Sequence, residues 1–234
     1  MLTGRTALVT GASRGIGLAI AQQLASAGAR VALTSRGSAD LVRAAEDTGG
    51  VAVSGDVSSA AGVERLGANV RAALGGDPEI LVNAAGAFLL ATVAETEPDA
   101  FERILAVNLL GPFLLMRAFL PGMLARGSGH IVSVGSVAGR RAFPENGAYS
   151  ASKFGMRGLH DVLAEELKGT GVRCTLVEPA ATDTALWDAV DRAAHPGLPG
   201  PDEMLDAGAV ASAVLHAVTR PASVAIRNLL LERA

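Results

Sequence analysis

The sequence predicts a doubly wound α/β domain in which about seven parallel strands form one sheet with helices on both faces. Three observations lead to this prediction. Short apolar runs alternate with helical patterns along almost all of the 234 residues, half of the residues are apolar while only 3% are aromatic, and 28 glycines are available for tight turns. Such alternation favours right-handed βαβ units, whose buried strands are short apolar runs.

Each strand and helix is predicted from the type and spacing of the residues in one continuous segment. Strands are expected where β-type apolar residues cluster, at 5–10, 30–34, 51–55, 79–83, 129–134, 172–177 and 224–231. Helices are expected between them, at 15–27, 38–47, 59–74, 99–125, 149–168 and 207–218. No polar linker divides the chain, which predicts one domain over residues 1–234. Residues 184–206 are rich in Pro and Gly, and we interpret them as a substrate-side loop, or else as a plain connector.

Composition argues against several classes of protein. A formal net charge of −3 gives no reason to expect nucleic acid or an anionic membrane as a partner. The single cysteine, Cys174, cannot form an internal disulfide, and the N-terminus lacks the pattern of a signal peptide. The longest apolar stretch, 104–125, contains Asn108 and Arg117, so we expect it in the protein interior or a subunit interface rather than in a membrane. We therefore expect a cytoplasmic protein, and no metal site is predicted.

The stretch TGASRGIG follows the first predicted strand and opens the first helix. Glycines at this point allow a tight turn, and the helix N-terminus offers free N–H groups to a phosphate. The spacing G-x-x-x-G-x-G in this context predicts a dinucleotide-binding turn of the Rossmann type. The contacts expected from the turn are Gly11, Ser13, Arg14, Gly15, Ile16 and Gly17.

The end of the second strand predicts which nicotinamide cofactor is preferred. An acidic residue there would favour NAD, but this chain has Ser35 and Arg36. Together with Arg14 they suit a 2′-phosphate, so NADP(H) is predicted to be preferred, with NAD(H) possible, unless these are ordinary surface arginines. Further contacts are expected at the ends of the third and fourth strands, from Asp56, Val57, Asn83, Ala84 and Gly86.

Tyr149 is the only tyrosine of the chain, and it lies one helical turn before Lys153, one of only two lysines. A nearby ammonium is expected to lower the pKa of the phenol, so that Tyr149 could donate a proton to a carbonyl oxygen. Ser136, at the end of a strand, is placed to hydrogen-bond the same carbonyl, and Ser133 competes for this role. Asn108, polar inside an apolar helix, is either a helix irregularity satisfied by backbone or part of a proton path to Lys153.

The ordered set TGASRGIG, Asp56-Val57, NAAG, Asn108, Ser136 and Tyr149-x-x-x-Lys153 resembles the compact short-chain dehydrogenase/reductase family. The resemblance implies that Tyr149 is the general acid/base, that Ser136 orients the carbonyl, that Lys153 also binds the nicotinamide ribose, and that Asn108 supports a proton relay. It also implies cofactor contacts by Tyr149, Lys153, Pro179, Thr182 and Thr184. The chain departs from the family at Pro179-Ala180, where Pro-Gly is usual, and in its C-terminus VAIRNLLLERA.

The expected activity is NADPH-dependent reduction of a ketone or aldehyde to an alcohol, or the reverse. A 3-oxoacyl-(acyl-carrier-protein or CoA) reductase is the alternative, which the C-terminus disfavours, and a non-catalytic NADP-sensing regulator is the alternative of another class. The expected pocket includes Phe88, Leu89, Phe143, Leu186 and Trp187, which favour a mainly apolar small molecule. Helix 99–125 and the helix bearing Tyr149 are expected to form a homodimer or homotetramer.

Overall fold

A computed structural model describes residues 1–37, 39–188, 190–192, 195 and 197–234. Its centre is one parallel sheet with the strand order β3-β2-β1-β4-β5-β6-β7. The strands are β1 Thr6–Thr10, β2 Arg30–Thr34, β3 Val51–Ala52, β4 Ile80–Asn83, β5 Gly129–Val134, β6 Val172–Pro179 and β7 Asn228–Leu231. The predicted fold class is confirmed. The strand order reverses between β1 and β4, where sheets of this type open a crevice for ligands.

Helices cover both faces of the sheet. They are α1 Gly15–Ser26, α2 Ala39–Thr48, α3 Ala60–Leu74, α4 Pro98–Leu105, α5 Gly111–Arg126, α6 Gly147–Glu166 and α7 Ala207–Val218. One core joins α1, α2 and α7 to the sheet through residues such as Ile20 and Val214. The other joins α3, α5 and α6 to the opposite face through residues such as Leu66, Phe119 and Leu163.

The seventh strand is shorter than the predicted 224–231, because side chains rather than strand amides satisfy its first carbonyls. Arg173 Nη1 donates to the Val224 carbonyl at 2.9 Å, and the Thr175 hydroxyl donates to the Ile226 carbonyl at 2.6 Å. The third strand ends at Ala52 instead of residue 55. The second helix is confirmed over residues 39–48, whereas Ser38, its predicted first residue, lies outside the described residues.

The predicted helix 99–125 is in fact three pieces, because a π-helical segment, Ala106–Leu110, separates α4 from α5. A π turn holds one residue more than an α turn and leaves backbone groups displaced from their usual partners. By length and composition the whole stretch Pro98–Arg126 could cross a membrane. Its inner face, however, is packed in the core, where Phe119 and Met123 are fully buried.

Two buried histidines lie away from the crevice. His130 lies in the first half of β5, and His160 lies on α6. His130 Nε2 lies 2.8 Å from the Thr175 hydroxyl, joining β5 to β6. Burial, reinforced by the charges of Arg173 and Arg5, lowers the pKa of His130 to about 3. Burial also lowers the pKa of His160 to about 4. Both side chains are therefore held neutral in the folded protein.

Acid is expected to destabilise the fold through these two groups. Their folded pKa values lie below the unfolded value, so the stabilisation is fully present above about pH 6.5 and is lost as the pH falls toward 4. Each histidine should cost about 2 kcal/mol of unfolding free energy by about pH 5. In urea unfolding followed by circular dichroism, His130→Gln should reduce this dependence, and His216→Gln, at an exposed position on α7, should not. Equal pH slopes for wild type and His130→Gln would contradict the assignment.

Candidate functional site

The glycine-rich turn places the start of α1 directly against the end of β1. A Cβ added at Gly17 would lie 2.4 Å from the Gly11 carbonyl oxygen, so only glycine permits this approach. Gly11 has a φ of +66°, and a Cβ there would lie 2.8 Å from Ala85 Cα. The residue before the helix, Arg14, makes no side-chain capping bond. The first N–H groups of α1 are therefore open to a ligand, and a diphosphate fits them in charge and geometry.

The turn forms one wall of a cleft of about 500 Å³ at the carboxyl ends of the strands, between β1 and β4. Most of the predicted cofactor contacts line it: Gly11, Ser13, Arg14, Gly15, Ile16, Gly17, Ser35, Arg36, Asp56, Val57, Ala84, Gly86 and Thr184. The other lining residues were not among the predicted cofactor contacts, and one of them, Leu186, was predicted for the substrate pocket. They are Thr34, Gly37, Asp40, Gly55, Ala85, Ala87, Arg103, Val107, Ala185 and Leu186. The lining of the cleft includes Arg36, after β2, and Thr184, after β6. A dinucleotide needs contacts spread over several strand ends in this way.

Five predicted cofactor contacts, Asn83, Tyr149, Lys153, Pro179 and Thr182, are not among the residues that line this cleft. Asn83 is only 3% exposed within β4, and Thr182 is 6% exposed. The Thr182 hydroxyl donates to the Ala180 carbonyl at 3.0 Å. A direct cofactor contact by Asn83, Tyr149, Lys153, Pro179 or Thr182 therefore stays a prediction.

Asp56 lies at the opposite wall with its carboxylate already engaged. The backbone N–H and the hydroxyl of Ser58 donate to Oδ1 at 2.9 and 2.8 Å. These bonds lower the pKa of Asp56, and the positive charges of Arg36 and Arg65 lower it further. Asp56 is thus an ionised hydrogen-bond acceptor that lines the cleft with Arg36, and its contact with the cofactor stays a prediction.

Tyr149, Lys153 and Ser136 converge at the start of α6. Lys153 Nζ lies 5.4 Å from the centre of the Tyr149 ring and donates to the Val134 carbonyl at 2.9 Å. Ser136 precedes a short 3₁₀ turn, Val137–Gly139, where its hydroxyl accepts from the Ala138 N–H at 3.1 Å, and its polarity acts on the Tyr149 phenol in the direction that lowers the phenol pKa. The competing Ser133 is fully buried inside β5, so it cannot face a substrate.

The expectation that the Lys153 ammonium lowers the pKa of Tyr149 is not met in this structure. Burial of the phenol dominates and raises its pKa to about 12, and the polar Ser136 hydroxyl acts in the lowering direction. Burial likewise lowers the pKa of Lys153 to about 8. Removing both groups from water disfavours both charged forms, and this outweighs their attraction. Tyr149 therefore holds its proton at neutral pH, as a proton donor must.

Asn108 lies in the π segment and is 1% exposed. Its Oδ1 accepts from the Ala87 N–H at 2.8 Å, and its Nδ2 donates to the Ala87 carbonyl at 2.9 Å and to the Ser152 hydroxyl at 3.0 Å. The helix is thus irregular at Asn108, whose amide pairs largely with backbone, and a proton path through Asn108 to Lys153 stays a prediction. Since Ser152 adjoins Lys153, Asn108 also ties the loop after β4 to the helix that carries the lysine.

Phe88 joins the two aromatic residues that occur once in the chain. Its ring meets Tyr149 edge to face at 4.9 Å and lies 5.1 Å from the Trp187 ring, while the Arg192 guanidinium lies 5.6 Å above Trp187. Aromatic groups of this kind form an apolar wall beside the phenol. The predicted loop 184–206 supplies Trp187 and Arg192, and its residues Ala189, Ala193, Ala194 and Pro196 lie outside the described residues.

Two further residues of the site gave only weak sequence signals. The Thr10 hydroxyl accepts from the N–H groups of Ala84 and Ala85, both at 3.0 Å, and so holds the end of β4 against β1. Arg103 reaches the cleft from α4, and its neighbours in the sequence do not distinguish it from a solvated arginine. Thr10 could have been noticed as a polar residue closing an apolar strand.

The fold and the site define a dinucleotide-binding α/β oxidoreductase. The family profile described as short chain dehydrogenase matches residues 5–194. The chain therefore belongs to the short chain dehydrogenase family and is an NAD(P)-dependent dehydrogenase/reductase.

Known proteins of similar sequence and structure agree with this assignment. The chain is 39% identical to a glycine betaine reductase, ATRR, of Emericella nidulans over 99% of this chain, although it spans only 19% of that protein's length. It is 36% identical to the ketoacyl reductase HetN of a Nostoc species, over 97% of this chain and 79% of HetN. A metagenomic short-chain oxidoreductase solved in complex with NADP superposes with a TM-score of 0.84 at 35% identity, over 100% of this chain and 98% of that one.

Proposed function

We propose that this protein is an NADPH-dependent carbonyl reductase that interconverts a small ketone or aldehyde and its alcohol. The observation that supports this most is the convergence of Tyr149, Lys153 and Ser136 beside a cleft with an open helix N-terminus. The nicotinamide, when bound, supplies the hydride to the carbonyl carbon. Tyr149 donates its proton to the carbonyl oxygen, and Ser136 hydrogen-bonds the same oxygen and stabilises its developing charge.

Lys153 has two roles in this proposal. Its ammonium, close to the face of Tyr149, stabilises the phenolate that forms when the proton leaves. Its bond to the Val134 carbonyl keeps the amine near the cleft and orients it toward the ribose. Asn108, through Ser152, fixes the helix turn that carries Lys153, and a proton relay through this region belongs to the proposal.

The arginines at the far end of the cleft support a preference for NADP(H). Arg14 and Arg36 both line that end, beside the Ser35 hydroxyl. A 2′-phosphate would receive charge-assisted bonds from two guanidiniums, whereas NAD(H) would leave them unpaired. Asp40 also lines the cleft, but Arg43 lies 3.7 Å from its carboxylate and partly neutralises it.

The substrate that we propose is small and mainly apolar, because Phe88 packs on the Tyr149 ring and Trp187 packs on Phe88. Two named relatives suggest alternatives for testing. The ketoacyl reductase HetN supports a 3-oxoacyl thioester, and the reductase of glycine betaine supports an aldehyde that bears a quaternary ammonium group. Aromatic faces attract such cations, although Arg192 already lies over Trp187.

An apolar groove of about 460 Å³ lies on the outer face of the long helical stretch. Leu105, Leu109, Leu110, Phe113 and Leu159 line it, and Phe113 is 43% exposed. Exposed patches of this kind mark contact surfaces, and the self-association typical of the family makes a second copy the occupant we propose.

A cytoplasmic location fits the one cysteine, Cys174, whose buried thiol has its pKa raised to about 11 and is inert.

Removal of the phenol hydroxyl tests the chemistry. Tyr149→Phe should lower kcat/KM by about a thousandfold, because a positioned proton donor contributes on that scale. The Kd for NADPH should change by less than about twofold, since the ring remains. Turnover is followed at the nicotinamide absorbance over ketones, aldehydes and 3-oxoacyl thioesters. Ser150→Ala removes the neighbouring hydroxyl of the same helix and should leave turnover intact. A Tyr149→Phe variant that keeps a tenth of the activity would refute the mechanism.

Replacement of one arginine tests the cofactor preference. Arg36→Leu should raise the KM for NADPH by about tenfold or more and leave that for NADH unchanged, as expected for loss of one charge-assisted phosphate contact. Arg117→Leu is the matched control, because Arg117 is exposed on α5 and does not line the cleft. Equal or better efficiency of the wild type with NADH would overturn the preference.

Light scattering tests the groove as a subunit contact. The wild type should have a mass of two or four chains of 23.6 kDa. Phe113→Glu should dissociate it, since burying an unpaired carboxylate costs several kcal/mol. Val42→Glu, at an exposed apolar position on α2, should leave the mass unchanged. A wild type that is monomeric at micromolar concentration would exclude the groove as an interface.

A further inference from the structure

Glu178 is a buried carboxylate that the mechanism above does not use. It lies near the end of β6, is 1% exposed, and follows a run of apolar residues in the strand. Four donor contacts surround its two oxygens. Arg140 Nε donates at 2.7 Å, Arg157 Nη1 donates to both oxygens at 3.0 and 3.1 Å, and Asn228 Nδ2 donates at 2.7 Å. One negative charge is thus shared by two guanidiniums.

The donors come from three different elements, and two of these carry the proposed catalytic groups. Arg140 follows the 3₁₀ turn that begins directly after Ser136. Arg157 lies on α6, one helical turn after Lys153. Asn228 opens the edge strand β7. Glu178 therefore connects the turn of Ser136 to the helix of Tyr149 and Lys153.

The backbone around Ser136 is also packed directly on Glu178 and α6. A Cβ at Gly135 would lie 3.1 Å from Glu178 Cγ, and the Gly135 N–H donates to the Val177 carbonyl at 2.7 Å. A Cβ at Gly139 would lie 2.8 Å from the Lys153 carbonyl oxygen. The turn after Ser136 consequently has contacts with α6 on one side and with β6 on the other, and Arg140 and Arg157 meet at the carboxylate between them.

Stability alone gives little reason for this arrangement. Replacing a buried ion pair with apolar residues of similar volume is often neutral or stabilising, because desolvation of the charges offsets their attraction. A planar carboxylate that receives directed bonds from two guanidiniums does, however, fix the relative position of the groups it joins. The network thus contributes geometry more than free energy.

We propose that Glu178 is a positioning residue that sets the distance between Ser136 and Tyr149. The inference rests on the proposed function, in which those two hydroxyls bind one carbonyl oxygen. With the carboxylate in place, the turn and α6 are held in register and Ser136 stays near enough to act on the Tyr149 phenol. Without its charge, the two arginines repel each other and the turn moves away from the helix, so that Ser136 no longer reaches the phenol.

A double-mutant cycle tests the proposal in the full-length protein. Glu178→Gln should lower kcat by about 10- to 100-fold, with the Kd for NADPH changed by less than about twofold, because the cleft is formed by other elements. Ser136→Ala should cost about 100-fold in the wild type but less than about fivefold in the Glu178→Gln background, since there the serine is already displaced. A kcat for Glu178→Gln close to the wild type, or equal costs of Ser136→Ala in both backgrounds, would overturn the proposal.

A second readout separates this proposal from the proposed function. Tyrosine labelled with ¹³C at Cζ gives one resonance, because Tyr149 is the only tyrosine. Glu178→Gln should shift this resonance in the same direction as Ser136→Ala, whether or not any substrate is turned over. A resonance that stays at the wild-type position in Glu178→Gln would refute the positioning role, whereas a shifted resonance without turnover in the wild type would refute only the proposed activity.

Two variants complete the design. Arg140→Gln weakens the same network from its more exposed end, where the side chain is 34% accessible, and it replaces Glu178→Gln in both measurements if that variant does not fold. Glu165→Gln is the matched control. It removes a carboxylate that also pairs with two cations, Lys168 and Arg227, but on the surface, and it should change neither kcat nor the resonance.

Discussion

The contact between Gly17 and the Gly11 carbonyl is the constraint on which the site depends. A single methyl group at Gly17 would separate α1 from the end of β1. Because the helix starts at that point, its open N–H groups lie at the sheet edge where β1 and β4 diverge. The cleft wall, the Thr10 bonds to the start of the loop after β4 and the approach of Ala85 to Gly11 all follow from this one close packing.

Burial, rather than attraction between opposite charges, determines the pKa values of Tyr149 and Lys153. Tyr149 and Lys153 are both shifted toward their neutral forms, since loss of hydration disfavours phenolate and ammonium alike. The free site therefore keeps a proton on the phenol and places the amine near its titration midpoint. A small change in local charge is enough to change the protonation of Lys153, whereas Tyr149 keeps its proton until the substrate accepts it.

Much of the fold was predictable because the spacing of apolar residues indicates buried strands and helices whichever apolar residue stands at each position. The order and type of the elements followed from runs such as 129–134, and the phosphate turn followed from its glycines. An irregularity in helix 99–125 was indicated by Asn108, but its place and π form were not, because the partners of Asn108 are at Ala87 in another loop. The network at Glu178 escaped notice for the same reason: Arg140, Arg157 and Asn228 are distant in the sequence and meet only in the folded chain.

The π segment 106–110 has a consequence for how the gene of this protein can change. A π turn takes up one extra residue locally, so deleting one residue there would restore regular α-helical bonding and leave the rest of the helix nearly in phase. The same deletion would withdraw Asn108 from its two bonds to Ala87. The extra residue therefore shapes the cleft wall at Ala87 rather than the helix core.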